Sequence, residues 1–105
     1  MSVVVVATIV PKPDHLAEVR AALVYSIPAV HDEVRCELYA LYQAGAALFF
    51  VEQWASQDAL DNHAKGSTIR RVQDAIMGSL MEPPTLVIGT AIAAGAAQRG
   101  QLVTG

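Results

Sequence analysis

The chain has 105 residues, enough for one domain and too few for two independent cores. Seven basic residues against ten acidic ones give a formal charge of −3, and the basic residues are scattered, which excludes the clustered cations that nucleic-acid binding requires. Hydrophobic residues make up 53% and charged ones only 16%, so a chain with this much surface per unit volume is expected to bury one face against a partner.

Residues 3–10 form a β-branched run ended by Pro11-Lys12-Pro13, which predicts a strand buried on both faces. Asp14 is placed to cap a helix whose apolar residues Leu16, Val19, Leu23, Ile27 and Val30 fall in one stripe at the 3.6-residue period. Pro28 is expected to kink or end it. Residues 36–43 alternate, with Cys36, Leu38, Ala40 and Tyr42 on one face and Glu37, Tyr39, Leu41 and Gln43 on the other. After a short turn at Ala44-Gly45-Ala46, residues 47–54 return as the second arm of an antiparallel hairpin.

Ser56 caps a short helix carrying Ala59, Leu60, His63 and Ala64, with Gly66 at its C-cap. A further helix is predicted over 68–81, with Ile69, Val72, Ile76 and Leu80 on one side and Pro83-Pro84 after it. Residues 85–92 form the last strand. Residues 93–105 are rich in Ala and Gly with little periodicity, and read as a tail or an arm across a partner.

The order β-α-β-β-α-β is the split βαβ arrangement, an α+β ferredoxin-like domain over residues 1–92 with helices on one face of a four-stranded antiparallel sheet. The strands nevertheless carry apolar residues on both faces. Sheet-to-sheet packing of two copies is the simplest way to dry the second face, so a homodimer is expected. No run is long and unbroken enough to cross a bilayer, the start lacks a basic signal region, and Cys36 is the only cysteine. These features predict a cytoplasmic protein with neither a membrane nor a nucleic-acid partner.

Two stretches carry a family resemblance. Pro28…Glu33…Cys36…Tyr39 resembles the P…E-P-G-C…Y segment of the antibiotic biosynthesis monooxygenase family, and residues 52–63 (Glu-Gln-Trp-Ala-Ser-Gln-Asp-Ala-Leu-Asp-Asn-His) resemble its signature E-x-W-x-S-x-x-A-L-x-x-H. The resemblance spans residues 1–92. It implies a dimeric α/β-barrel assembly, a pocket between sheet and helices, and oxygenases that act on polycyclic phenols or quinols without flavin, metal or haem. Val34-Arg35 stands where the family has Pro-Gly, so this turn must manage without a glycine. The haem-degrading branch uses an axial histidine on the helix after the signature and an Asn on the first strand. Here Gln73 is the nearest polar residue on that helix and Ala7 and Thr8 occupy the strand, which disfavours haem degradation.

Oxygenation of a phenol by O₂ alone needs a base, hydrogen bonds for the anion and an apolar enclosure. His63 is the candidate base, since an imidazole titrates near pKa ~6.5; the bland alternative is that it only packs its helix. Trp54 either walls the pocket and donates its N–H to a substrate oxygen or is a core tryptophan. Tyr39 either orients a quinol oxygen or is a half-buried strand residue at a sheet contact. Glu52 lies on the face of Trp54 and is expected to orient His63 or to form an ion pair. Asn62 and Phe50 complete the expected substrate contacts. Cys36 reads as a small strand residue, and His15 and His31 as surface residues. The leading expectation is a cofactor-independent monooxygenase acting on a quinol-like aromatic and O₂. The alternatives are a non-catalytic dimer binding small aromatics and, behind it, a haem binder.

Overall fold

The computed structural model describes residues 1–102. Four strands, β1 (Val3–Ile9), β2 (Cys36–Ala44), β3 (Ala47–Trp54) and β4 (Thr85–Gly89), form one antiparallel sheet in the order β2-β3-β1-β4. Helices α1 (Leu16–His31), α2 (Gln57–Lys65) and α3 (Ser67–Ile76) cover one face. This is the ferredoxin-like order expected from the sequence.

The core follows from strand alternation. Val3, Val5, Ala7 and Ile9 of β1 point to the helices and are buried, as are their β3 neighbours Leu48, Phe50, Glu52 and Trp54. Val19, Leu23 and Val30 of α1 press onto them, with Val72 and Ile76 of α3 alongside. The other face of β1 is not buried in the single chain. Val6 there is 37% exposed, Tyr42 of β2 52% and Val87 of β4 70%. Phe49 and Val51 are half-buried on this face, and Tyr42 stacks on Phe49 with ring centroids 5.4 Å apart.

Several local expectations are corrected. Asp14 caps nothing: it lies inside a 3-10 turn, Pro13–His15, that precedes α1. Pro28 neither ends nor visibly breaks the helix, which runs on to His31. It sits in the last turn, where few backbone bonds remain to be lost, and the Ser26 hydroxyl donates to the Leu23 carbonyl at 2.7 Å nearby. The strict alternation of β2 fails at its start, because a bulge between Cys36 and Leu38 pairs Cys36 with Trp54 and Leu38 with Gln53. Cys36 therefore packs toward the core and Leu38 lies on the open face.

The last helix stops at Ile76 rather than near 81. A 3-10 turn, Met77–Ser79, follows, and the chain is then drawn out against the segment after β1. The Lys12 N–H donates to the Ser79 carbonyl and the Met81 N–H to the Val10 carbonyl, both at 2.9 Å. Those bonds hold Leu80 extended beside Pro11, where helix cannot continue. Strand β4 is likewise shorter than 85–92. Residues 91–102 lie beside one end of the open face, where they line a cavity of about 680 Å³ with Val4 and Gln53. Residues 103–105 of the expected tail lie outside the described residues. Among the described residues no helix is long and apolar enough to cross a membrane.

Candidate active site

The strand-to-helix junction after β3 sets the geometry. Ser56 accepts the Ala59 N–H at 3.1 Å and so caps α2 where the sequence places it. With the first turn fixed, His63 comes two turns later onto the inner side of α2, over the end of β3. Its ring is 5% exposed and stacks on Trp54, with centroids 4.5 Å apart and 29° between planes. Tyr39 meets its edge at 5.7 Å and is itself stacked on Phe50 at 4.3 Å.

The carboxylate that holds the imidazole is Glu33, in the turn between α1 and β2, and not Glu52. Its two oxygens lie 3.0 and 3.2 Å from Nδ1 of His63. An ionised carboxylate only accepts, so Nδ1 carries the proton and Nε2 is left as the acceptor or base. Glu52 takes a different partner. Its Oε1 accepts the indole N–H of Trp54 at 3.0 Å.

Burial raises the Glu52 carboxyl above the ordinary carboxylate range, against the opposing pull of the Trp54 hydrogen bond and of His63. Burial also raises the Tyr39 phenol, with Glu52 adding to the effect. Tyr39 therefore stays a neutral hydroxyl throughout the physiological range. Cys36 is pushed up to about 11, chiefly by burial and then by Glu33 and Glu52, so its thiol is a poor nucleophile.

The predicted residues divide into two groups. His63, Trp54, Tyr39, Phe50 and Glu52 form one contiguous buried cluster. Asn62 is exposed, one residue from His63, and lines with it an open cleft of about 500 Å³ whose other walls are Glu33, Val34, Arg35, Ser56, Asp58 and Ala59. Trp54 is fully buried, and the indole and imidazole touch directly, so no ring-sized gap separates them. Of the buried cluster, only His63 reaches the cleft.

Sequence reasoning missed Glu33 as the partner of His63, because the two are 30 positions apart and nothing local links them. The one available signal was the place of Glu33 in the first family segment. His31 is exposed, as expected, and its Nε2 lies 3.0 Å from the Tyr39 carbonyl, which ties α1 to β2. Gln73 lies apart, in a groove with Met77, Met81 and Pro83.

A family-wide sequence profile described as antibiotic biosynthesis monooxygenase matches residues 2–75. Among solved structures, Rv0793 from Mycobacterium tuberculosis is 26% identical, with 91% of this chain and 100% of that one covered and a TM-score of 0.84. A candidate antibiotic biosynthesis monooxygenase from Caulobacter crescentus is 23% identical over 88% of this chain and 91% of its own, with a TM-score of 0.81. A conserved protein from Methanosarcina mazei is 22% identical over 85% and 91%, with a TM-score of 0.79. No curated protein matches the chain at a significant level.

Proposed function

The chain belongs to the antibiotic biosynthesis monooxygenase family, and from that premise we propose that it is a monooxygenase which oxidises a quinol-like aromatic with O₂, using His63 as its base. The observation that carries the reading is the pairing of the buried His63 with the half-buried Glu33 at the edge of an open cleft. The substrate lies in that cleft with a phenolic O–H on Nε2 of His63. The ring takes the proton, and Glu33 faces the positive charge it acquires. Asn62 offers an amide to the phenolate oxygen. Trp54 and Tyr39 act from behind, fixing the plane and edge of the imidazole, and Phe50 and Glu52 support them in turn.

The phenolate is a far stronger electron donor than the phenol and reduces O₂ directly. In balance, a quinol and O₂ give a hydroxylated quinone and water: one oxygen atom forms the new C–O bond, the other leaves as water, and all four electrons come from the substrate. No separate cofactor is called on. A second copy of the chain covers the open sheet face, giving a homodimer whose clefts lie on the outer, helical sides.

The test is O₂ uptake by metal-free protein with a panel of hydroquinones and naphthoquinols. A His63→Phe variant keeps a ring stacked on Trp54 but removes the base, and is expected to lose turnover by about 10²–10⁴-fold while staying folded. Unchanged turnover in that variant removes His63 from the mechanism.

One observation favours a second reading, a non-catalytic dimer that binds small aromatics. The direct contact of Trp54 with His63 leaves no slot for a substrate ring between them. Binding of several aromatics with no O₂ uptake for any of them decides for this reading.

A further inference from the structure

Arg35 stands in the turn between α1 and β2 in a conformation its side chain does not favour. Among the described residues it is the one non-glycine with positive φ, at 64°. A Cβ is strained in that left-handed region, and a glycine there is not. The turn itself is held by backbone groups: the Ala55 N–H donates to the Arg35 carbonyl at 3.0 Å, and the Cys36 N–H to the Glu33 carbonyl at 3.3 Å. None of these bonds needs the guanidinium. Strain kept at a site beside a cleft points to a use for the side chain.

That side chain is exposed and lines the same cleft as His63 and Asn62. Two carboxylates share the cleft, yet Arg35 pairs with neither. The ion pairs among the described residues are His15–Glu18 and His63–Glu33, so Glu33 is already engaged. Asp58 stands in the first turn of α2, where the helix N-terminus favours its negative charge. The cleft therefore carries a permanently charged planar fork and a proton acceptor in one lining, and a guanidinium fork matches a carboxylate with two parallel hydrogen bonds.

We infer that the cleft selects phenolic compounds bearing a carboxylate, with Arg35 holding the acid while the phenol meets His63, which makes Arg35 the specificity-determining residue. The inference rests on the reading of this cleft as the substrate site. It assigns a ligand class that a glycine at position 35 would not select.

Titration calorimetry under anaerobic conditions, with 2,5-dihydroxybenzoate and with hydroquinone, tests it. The wild-type chain is expected to bind the acid at least tenfold more tightly than the neutral compound. Arg35→Gly brings that ratio to near one, and Arg35→Lys keeps part of it. The glycine variant relieves the backbone strain, so its melting temperature holds or rises, and its lost preference cannot be ascribed to unfolding. Equal affinities in the wild type, or an undiminished preference in Arg35→Gly, overturn the inference. Oxygen uptake separates it from the oxygenase reading. Acid selectivity without uptake for any compound of the hydroquinone and naphthoquinol panel leaves the inference standing and removes the oxygenase. Uptake with neutral quinols and no acid preference does the reverse.

Discussion

Replacing Trp54 by Phe probes the contact on which the buried cluster is built. The indole is fully buried and donates its N–H to Oε1 of Glu52 at 3.0 Å. Phe keeps a ring against His63 but leaves a void where the outer, six-membered part of the indole was, worth roughly 1 kcal/mol. It also strands a buried carboxyl oxygen without its donor, which costs about 1–3 kcal/mol more. The expected total is about 2–4 kcal/mol, or a fall in melting temperature on the order of 10–20 °C for a domain of this size. Glu52→Leu strands the indole N–H in the same way, at about 1–3 kcal/mol. The double variant removes both partners and strands neither, so its cost should fall short of the sum of the singles by about 2 kcal/mol or more. Urea denaturation followed by far-ultraviolet circular dichroism measures all four corners of the cycle. Fluorescence cannot, because Trp54 is the only tryptophan. Protein concentration must be held constant, so that self-association contributes equally to every variant. Costs that add to within about 0.5 kcal/mol would refute the reasoning, for the indole–carboxyl bond would then contribute nothing of its own.

Other outcomes follow from the same geometry. The Glu52 carboxyl is raised by burial, so the unfolded chain releases that proton first, near the ordinary 4.5, and stability that is full below this value is lost as pH rises through the folded pKa. Glu52→Gln, whose amide oxygen still accepts the indole N–H, should therefore gain on the wild type as pH rises from 4.5 to 8; a gap that stays constant with pH contradicts this. With its thiol pushed up from 9.0 to about 11, Cys36 should react with iodoacetamide at pH 8 about a hundredfold more slowly than a thiol at the ordinary value, and alkylation at the ordinary rate argues against its burial. Val51 sits mid-face on the open side of the sheet, opposite both Val6 and Ala40. Val51→Lys should halve the mass seen by light scattering, and a wild-type monomer or an unaltered dimer would rule out that face as the contact.

What could be read from the chain alone was whatever depends on neighbours in sequence. The β-branched run that ends at Pro11, the apolar stripe of α1 and the Ser56 cap are local patterns, and each points to the right element. What failed depended on partners far away. The end of α3 is set by hydrogen bonds from Lys12 and Met81 that pair residues 79–81 with the segment after β1, and no helical period contains that information. The bulge at Glu37 appears only once β2 is laid against β3.

The site divides in the same way. Trp54, His63, Tyr39 and Glu52 stand in the two family segments and Phe50 just outside them, and the five side chains do meet. Their order of contact was not legible. Glu52 serves the indole rather than the imidazole, Glu33 reaches His63 across 30 positions, and the open cleft is lined by the imidazole but not by the indole. The missing glycine at position 35 was visible in the sequence. The left-handed backbone that an arginine adopts in its place was not.

A crystal structure of the protein with a quinol-type ligand bound under anaerobic conditions bears most directly on the role given to His63. The phenolic oxygen is expected within about 2.6–3.2 Å of Nε2, inside the cleft shared with Asn62, with Glu33 still on Nδ1. A ligand seated elsewhere, with nothing polar against Nε2, would contradict the assignment of the base.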